Sequence, residues 1–517
     1  QRYTYARGGR VQVLVDLQHR LHFQPGPRVS AADYTMAADG LRATVHSSNW
    51  VERQASVALR FDRPIADWQA LPAGEGEKAP RLLLSFDLGD ARTLEARVAL
   101  STVDAAGAAA NLATADELDF DTAVQQAAAA WNALLARIAI DAPAAQRRIF
   151  YSALYRSLMH PSQIADVDGR VRGPKGEVIQ APGGVYYSTL SLWDTFRAAH
   201  PLYTLLVPER VPGFVHTLLA HEAQMGYLPL WTAWGRETHT MIGNPALPVI
   251  SDAIAKGFPG IDAEAALAAM LRTSTAERPQ APDWAQRSWT LLEQYGYLPY
   301  DLAPGESVSK TAEYGYGDAA LAEVARHLGR LDVAERFERR AASWKALYDP
   351  ETQTLRGRDR TGAWRTPFDP VEATSPMNNP GDYTEANAWQ YTATPALHDP
   401  AGFREKLGGR AALEAWLDTF FALPMPDPDK HLGQEALIGQ YAHGNEPSHH
   451  IAWLYAWTDA PTKGERHLAD IARRFYRDAP DGIVGNDDAG QMSAWYVLTT
   501  LGLYPSRPGH AEWTLGA

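Results

Sequence analysis

Hydrophobic and polar residues alternate along the first part of the chain. Between residues 11 and 17, valine or leucine occupies every odd position, and the even positions are polar apart from Leu14. Residues 55–61, 81–88 and 94–103 repeat this pattern, and turns rich in Gly and Pro, such as 72–74, separate them. A period of two is typical of strands with one buried face. The pattern predicts a β-sandwich over residues 1–115.

The period changes within residues 116–145. Apolar side chains then recur at helical spacing, at Val124, Ala128, Trp131, Leu135 and Ile138. Asp121 precedes this run and is a residue type that caps helix N-termini. We therefore predict a linker helix in this segment, with Asp121 as its N-cap.

Helical periodicity dominates residues 146–517. The clearest stretches are 149–159, 318–328, 334–347 and 449–457, and long loops rich in Gly, Pro and aromatic residues separate them. No repeat of 20–50 residues is evident, which argues against a solenoid. Many helices without intervening strands predict an α/α barrel, whose active site would lie where the loops converge.

Composition excludes several classes of function. The net charge of −13 leaves no basic surplus to neutralise nucleic-acid phosphates. The absence of cysteine excludes disulfides and thiolate metal sites. No apolar run approaches the roughly 20 residues of a membrane span. The 16 Trp and 22 Tyr suit stacking on sugar rings, although large helical enzymes also use Trp to fill their cores.

Six segments combine acidic, amide and aromatic residues, and they carry the candidate chemistry. They are 191–195, 234–243, 305–314, 382–391, 443–450 and 485–495. Residues 1–17 read as a strand rather than a signal peptide, and the chain stops just after 512–515 without an obvious terminal element. We expect the chain to be a processed or truncated piece of a larger protein.

Three of these segments have a structural interpretation beside a functional one. Asp194, next to a tryptophan, either binds sugar hydroxyls or caps a helix. Arg236 and Glu237 suit an ion pair. Glu306 and Lys310, at i,i+4 spacing, suit a salt bridge that supports a helix.

Two segments carry candidate catalytic carboxylates. Glu385 lies among aromatic residues, an environment that raises a carboxyl pKa and suits a general acid, although it also fits a helix start. Asp487 and Asp488 lie between glycines and run into an apolar helix. Such a pair either activates water or binds a cation, and an acidic surface turn is the alternative.

The segment 443–450 suggests a metal site. Glu446 followed by His449 and His450 resembles a zinc motif, but Pro447 interrupts the single helix face that such a motif needs. Asn445 and Glu446 offer oxygen, which suits calcium. We place calcium ahead of zinc, and a purely structural histidine pair is the remaining interpretation.

Taken in order, the six segments resemble glycoside hydrolase family 92, the calcium-dependent inverting exo-α-mannosidases. The resemblance implies an N-terminal β-sandwich followed by an (α/α)6 barrel. It also implies removal of terminal non-reducing α-mannose from oligosaccharides or N-glycans by a periplasmic or secreted bacterial enzyme. From the same resemblance we expect the start of the sandwich and the final strands to lie outside this chain.

The resemblance also implies catalytic roles. Glu385 would be the general acid and Asp488 the general base, with Asp487 as its alternative or helper. Position 486 is Asp in some relatives and Asn here. An inverting pair needs a separation of about 6.5–9.5 Å, which only the fold can set.

Binding roles follow from the same resemblance. Asp194 would bind mannose hydroxyls. Calcium would be held by Asn445, Glu446 and the Gly444 carbonyl, and it would grip the vicinal O2 and O3 hydroxyls of mannose. We assign further substrate contacts to Trp193, Arg236, Glu237, Trp389, Gln390 and His443.

Two other functions compete with this one. Another α/α-barrel carbohydrate enzyme, a glucosidase or a phosphorylase, would share the layout, but a phosphorylase would have a phosphate pocket in place of Asp487 and Asp488. A non-catalytic glycan-binding protein would not need both Glu385 and Asp488. Glu385 also favours an ordinary glycosidic bond over a mannose phosphodiester. The linkage cleaved stays open, because residues 441–443 match no pattern that sets it.

Overall fold

Contacts within the chain divide it into two units. The structure, a computed structural model, describes residues 1–19, 28–278, 281–303, 305–426 and 433–516. The first unit takes in Gln1–Ala136, Ser162–Thr189 and Thr232–Thr238. The second takes in Arg137–Pro161, Leu190–Trp231 and His239–Ala517. The first unit therefore includes two segments that lie well beyond the predicted sandwich and linker.

Up to residue 136 the described residues form two antiparallel sheets and two helices. The strands are β1 (Arg2–Thr4), β2 (Arg10–Asp16), β3 (Val29–Met36), β4 (Gly40–Asn49), β5 (Val51–Phe61), β6 (Asp67–Leu71), β7 (Arg81–Asp87) and β8 (Thr93–Ser101). The helices are α1 (Ala105–Ala113) and α2 (Phe120–Leu135).

The two sheets share one apolar core. Their strand orders are β1-β8-β5-β4-β3 and β2-β7-β6. Alternate residues of β7, Leu82, Leu84 and Phe86, are fully buried and pack in one cluster with Leu41 of the other sheet. On β2 the predicted alternation is also seen, since Leu14 is 51% exposed. An antiparallel sheet domain is thus confirmed at the N-terminus.

The cap of α2 lies two residues before the predicted one. The Asp119 carboxylate accepts the backbone N–H of Thr122 at 2.8 Å, so Asp119 is the N-cap. The prediction of Asp121 was wrong, because both aspartates suit the role by type and only the extended backbone at Asp119 decides between them. Asp121 instead pairs with Arg2 at 3.0 Å.

Helices predominate from residue 137 onward, and none of the described helices is long and apolar enough to cross a membrane. They are α3 (Ala144–Ser157), α4 (Leu192–Thr195), α5 (Ala199–Leu206), α6 (Val211–Met225), α7 (Ala246–Ala255), α8 (Ala263–Thr275), α9 (Trp289–Tyr295), α10 (Ser307–His327), α11 (Leu331–Ala341), α12 (Ala388–Thr392), α13 (Pro400–Leu407), α14 (Arg410–Ala422), α15 (Pro461–Phe475) and α16 (Gln491–Thr500). Short 3-10 helices cover Pro182–Gly184, Pro208–Arg210, Asp283–Ala285, Ala342–Ala346, Thr394–Leu397, Glu446–Ser448 and Ile451–Trp457.

The strands after residue 137 are two or three residues long. They are β9 (Ser162–Gln163), β10 (Arg170–Arg172), β11 (Val178–Gln180), β12 (Tyr187–Ser188), β13 (Leu190–Ser191), β14 (Trp231–Ala233), β15 (Arg236–Glu237), β16 (Tyr348–Asp349), β17 (Thr354–Leu355), β18 (Leu437–Ile438), β19 (Tyr441–Ala442), β20 (Leu503–Tyr504) and β21 (Thr514–Leu515).

Helix α10 lies at the centre of the second unit. Its Leu321 belongs to a core cluster with Val215 of α6, Leu247 of α7, Met270 of α8 and Phe337 of α11. The helix starts eleven residues before the predicted stretch of 318–328, which therefore covers only its second half. The reason is burial on every side, because a helix without a polar face has no amphipathic period to detect.

Candidate active site

Three carboxylates of the second unit converge in one cluster, in which Asp194 and Glu446 are buried and Asp488 is partly buried. One oxygen each from Asp194, Glu446 and Asp488 lies within 4.8 Å of the others. Asp194 lies on α4, Glu446 begins a 3-10 helix, and Asp488 lies in the loop that leads into α16. Three residues from distant parts of the sequence thus meet at one point, which we call the acid cluster.

The acid cluster is electrostatically unfavourable without protons or a counter-cation. Burial, and then the charge of Asp488, hold the pKa values of Asp194 and Glu446 well above their usual range. Burial also raises the pKa of Asp488 to about 6. Such shifts express the loss of hydration together with like-charge repulsion.

Glu385 provides a fourth carboxyl group, in the loop before α12. Burial raises its pKa to about 7, with further contributions from the charges of Asp488 and Glu306. Glu385 is therefore largely protonated below pH 7, while Asp488 can lose its proton. This pairing of a proton donor with a proton acceptor is what acid–base hydrolysis requires.

Amide side chains hold the loop that carries Glu385. The Glu385 carbonyl oxygen accepts hydrogen bonds from Asn445 Nδ2 at 2.8 Å and from Gln434 Nε2 at 3.0 Å. Gln390 donates to Gln434 at 2.7 Å and forms a capping box with Asn387 at the start of α12. Asn445 therefore links the predicted metal-binding segment to the predicted acid.

The two adjacent aspartates have different partners. Asp487 accepts hydrogen bonds from the backbone N–H and the hydroxyl of Ser493, at 2.9 and 3.0 Å. These bonds tie Asp487 to the first turn of α16. Asn486 Nδ2 donates to Asp488 Oδ1 at 3.0 Å. The structure thus places Asp488, rather than Asp487, in the acid cluster.

Histidines of the segment 443–450 are hydrogen-bonded inside the core. His443 lies between the hydroxyls of Tyr441 and Tyr476, each 2.8 Å from a ring nitrogen. His449 Nε2 donates to the His443 carbonyl at 3.0 Å, and His450 Nε2 donates to a backbone carbonyl at 2.8 Å. These bonds agree with a structural histidine pair and give zinc no support.

The two predicted substrate tryptophans are also core residues. Trp193 is 2% exposed, and its indole N–H donates to Glu313. Trp389 is 8% exposed and packs against Trp416 with ring centroids 5.3 Å apart. Contact of Trp193, Trp389, Gln390 and His443 with substrate stays a prediction.

The acid cluster offers a set of hard oxygen donors. Among the described residues, this cluster is the one group of His, Asp and Glu side chains whose ligand atoms lie close enough together to share one cation. Glu446 Oε1 is buried and has no hydrogen-bond partner among the described residues. Carboxylate oxygen is what calcium prefers, and Asn445 and the Gly444 carbonyl adjoin Glu446 in the chain.

Solved structures of known enzymes superpose on the whole chain. An α-mannosidase of family GH92 from Bacteroides thetaiotaomicron, in complex with mannoimidazole, matches 100% of this chain and 69% of its own with a TM-score of 0.91 and 31% identity. An inverting mannosidase of the same family from B. thetaiotaomicron covers 98% of this chain and 70% of its own, with a TM-score of 0.85 and 28% identity.

Sequence comparison agrees with the structural one. The sequence model of the glycosyl hydrolase family 92 catalytic domain matches residues 107–517. The chain belongs to glycosyl hydrolase family 92. An uncharacterized secreted glycosidase from Arthroderma benhamiae is 25% identical over 426 residues, which are 76% of this chain and 48% of that protein. The chain thus spans about half the length of this relative.

Arg236 and Glu237 belong to the other unit of this family 92 protein. They form β15, where Glu237 pairs with Thr232 and Arg236 pairs with Ala233 of β14. The Arg236 guanidinium lies against Gly176, where a Cβ atom would approach it to 2.5 Å. Their contact with substrate stays a prediction.

Sequence analysis did not predict several contacts that support Asp194 and the loop of Glu385. The Ser191 hydroxyl donates to the Asp194 carboxylate. Lys310 Nζ lies 3.3 Å from Glu306 Oε2, and Thr384 donates to the other Glu306 oxygen at 2.7 Å, next to Glu385. The i,i+4 spacing revealed the salt bridge, but no local pattern connected it to Glu385.

Proposed function

We propose that this family 92 protein is an exo-α-mannosidase that removes terminal non-reducing α-linked mannose with inversion of configuration and with calcium. The observation that carries the proposal is the convergence of Asp488 with Asp194 and Glu446, together with Glu385, whose pKa the charge of Asp488 helps to raise. The two mannosidases that superpose on the chain support the choice of sugar. They favour a mannosidase over a glucosidase or a phosphorylase.

In the proposed reaction, Glu385 donates its proton to the glycosidic oxygen as the bond from that oxygen to C1 breaks. Asp488 accepts a proton from a water molecule that attacks C1 from the opposite face of the ring. The products are β-mannose and the shortened glycan. Asn486 orients Asp488 through its 3.0 Å hydrogen bond, and Asp194 binds sugar hydroxyls.

The proposed calcium fits the donors of the acid cluster. Glu446 would hold it through the unpartnered Oε1, with Asn445 and the Gly444 carbonyl beside it. When bound, calcium would offset the repulsion among the carboxylates and grip two vicinal hydroxyls of mannose. The Asn445 amide N–H also donates to the Glu385 carbonyl, so this side chain would contact both the calcium and the loop that carries the proposed acid.

The broader assignments belong to the same proposal. The helical unit would be an (α/α)6 barrel, and the protein would act in the periplasm or outside the cell. Mannose-containing oligosaccharides or N-glycans would be its substrates. We expect linkage selectivity to be set in the segment 441–443. Within it, Tyr441 and Ala442 are fully buried.

The test of this function is hydrolysis of α-1,2-, α-1,3-, α-1,4- and α-1,6-mannobiose, followed by proton NMR with calcium and with EDTA. We expect β-mannose to appear first, EDTA to stop its release and added calcium to restore it. Initial release of α-mannose would contradict inversion. Turnover that is indifferent to the chelator would contradict the calcium requirement.

Activity should fall at alkaline pH because Glu385 must be protonated to act. Its pKa of about 7 lies above the ordinary value, so the active protonation state is present below pH 7 and is lost as the pH rises through 7. We expect kcat for mannobiose to fall tenfold per pH unit above that point. A kcat that stays constant up to pH 9 would show that Glu385 is not the acid.

A further inference from the structure

Glu313 is a buried carboxylate that the proposed reaction does not use. It is fully buried on α10, and both of its oxygens accept the Trp193 indole N–H at 2.9 Å. The Tyr391 hydroxyl donates to Oε1 at 2.9 Å, and the Tyr316 hydroxyl donates to Oε2 at 3.0 Å. Burial raises the pKa of Glu313, and the charge of Arg197 and these three donors oppose that shift because they stabilise the ionised form.

The donors to Glu313 come from the elements that carry the site. Trp193 immediately precedes Asp194 on α4. Tyr391 lies on α12, six residues after Glu385. A single side chain of α10 therefore connects the proposed sugar ligand with the proposed acid through two rigid aromatic side chains.

Gly243, in the segment 234–243, packs directly against Glu313. At Gly243, where φ is +79°, a Cβ atom would lie 2.6 Å from Glu313 Oε2 and 2.4 Å from the Tyr316 hydroxyl. Only glycine fits both the backbone angle and the close approach. Four of the six segments found in the sequence, 191–195, 234–243, 305–314 and 382–391, thus meet at Glu313.

Arg197 supplies the opposite charge. Its guanidinium lies 4.0 Å from Glu313 Oε1, and both groups are almost entirely buried. Arg197 Nε donates to the Trp193 carbonyl at 3.0 Å, and the guanidinium lies over the Trp193 ring at 5.0 Å from its centroid. A buried carboxylate without such a partner would be strongly destabilising. Trp193 is thus held at its indole by Glu313 and at its backbone by Arg197.

We propose that Glu313 is a positioning residue that fixes Asp194 and Glu385 relative to each other through Trp193 and Tyr391. This inference rests on the proposed function of those two carboxyl groups. A catalytic constellation has to be held to within about 0.5 Å. Misplacement by about 1 Å lowers rates by about a hundredfold. Glu313 touches neither substrate nor reacting atoms and acts only through its donors.

The experiment tests the link from Glu313 to Glu385 and the link from Glu313 to Asp194 separately. Tyr391→Phe removes the hydroxyl on the Glu385 side, Trp193→Phe removes the N–H on the Asp194 side, and Glu313→Gln removes the charge. Tyr455→Phe is the matched control, because the Tyr455 hydroxyl also donates to a carboxylate, Asp418, at 2.8 Å, away from these segments. Each variant is assayed for kcat and KM on mannobiose and on 2,4-dinitrophenyl α-mannoside, and its Tm is measured.

We expect Tyr391→Phe to lower kcat for mannobiose about tenfold or more and to leave the dinitrophenyl substrate almost unaffected, because that leaving group needs no acid. Trp193→Phe should mainly raise KM for both substrates. Glu313→Gln should show both effects. A variant that only loosens the fold would lower kcat on both substrates by the same factor, and that factor would increase with the loss in Tm. We expect this behaviour for Tyr455→Phe.

Two failures are distinguishable. If the wild-type protein cleaves neither substrate, the proposed function is wrong and the role of Glu313 falls with it. If the wild type cleaves both and Tyr391→Phe behaves like Tyr455→Phe on both substrates, the positioning role is wrong and the proposed function stands. Should Glu313→Gln fail to fold, the two aromatic variants still decide the question.

Discussion

Replacing Glu385 by glutamine is expected to lower kcat/KM for mannobiose by about 10²–10⁴-fold, because the amide has no acidic proton to give to the leaving oxygen. The shape of the side chain is kept, and the Glu385 carbonyl can still accept its hydrogen bonds from Asn445 and Gln434. We therefore expect an unchanged fold and an unchanged KM. Steady-state kinetics on mannobiose and on 2,4-dinitrophenyl α-mannoside measure the effect.

The comparison of the two substrates identifies the role. The dinitrophenyl leaving group departs without protonation, so Glu385→Gln should retain most activity on it and should lose the alkaline fall of kcat. Glu372→Gln provides the control, since it makes the same change at an exposed position of the preceding loop. An equal loss on both substrates would contradict the role of Glu385 as acid.

Replacing Asp488 by asparagine should lower kcat/KM on both substrates by about 10²–10⁴-fold, because every turnover needs a base to activate water, whatever the leaving group. The adjacent Asp487→Asn is a matched control. Asp487 accepts two hydrogen bonds from Ser493 at the start of α16 and lies 3.6 Å from Arg156. Its replacement should mainly lower Tm and should leave kcat nearly unchanged.

Kinetics and thermal denaturation of the two aspartate variants decide between the neighbours. If Asp487→Asn abolished turnover at an unchanged Tm and Asp488→Asn did not, the base would be Asp487. The structural argument for Asp488 would then fail, since it rests on the convergence of Asp488 with Asp194 and Glu446.

Strands with one buried face could be predicted from the sequence. The alternation on β2 extends even to its exception, because Leu14 is half exposed where the pattern places it on the polar face. Helix α10 could not be predicted in full, since residues buried on all sides leave no period. The cap of α2 depended on the backbone angles of two equally suitable aspartates.

The site could be predicted in part. Motif order pointed to Asp194, Glu446 and Asp488 separately, and the fold brings their oxygens together. The sequence could not show which aromatic residues would face inward. Trp193 has its N–H bonded to Glu313, and His443 has both ring nitrogens bonded to tyrosines, because contacts between residues far apart in sequence decide these orientations. The position of Glu313 could not be predicted either, because Trp193 and Tyr391 lie 120 and 78 residues away from it in the sequence.

The backbone at the two proposed catalytic positions has a consequence for directed evolution. Glu385 and Asp488 have φ of 50° and 44°, and Ala489 follows with 57°. The left-handed region costs about 1–2 kcal/mol for a residue with a side chain, whereas glycine adopts it freely and loses about 0.5–1 kcal/mol through its own flexibility. Glycine at 385 or 488 would also remove a partly buried carboxyl group. If the proposed roles hold, a library selected only for heat tolerance should accumulate inactive proteins with substitutions at these positions, so that thermostable descendants of this protein have to be selected for turnover and heat tolerance together.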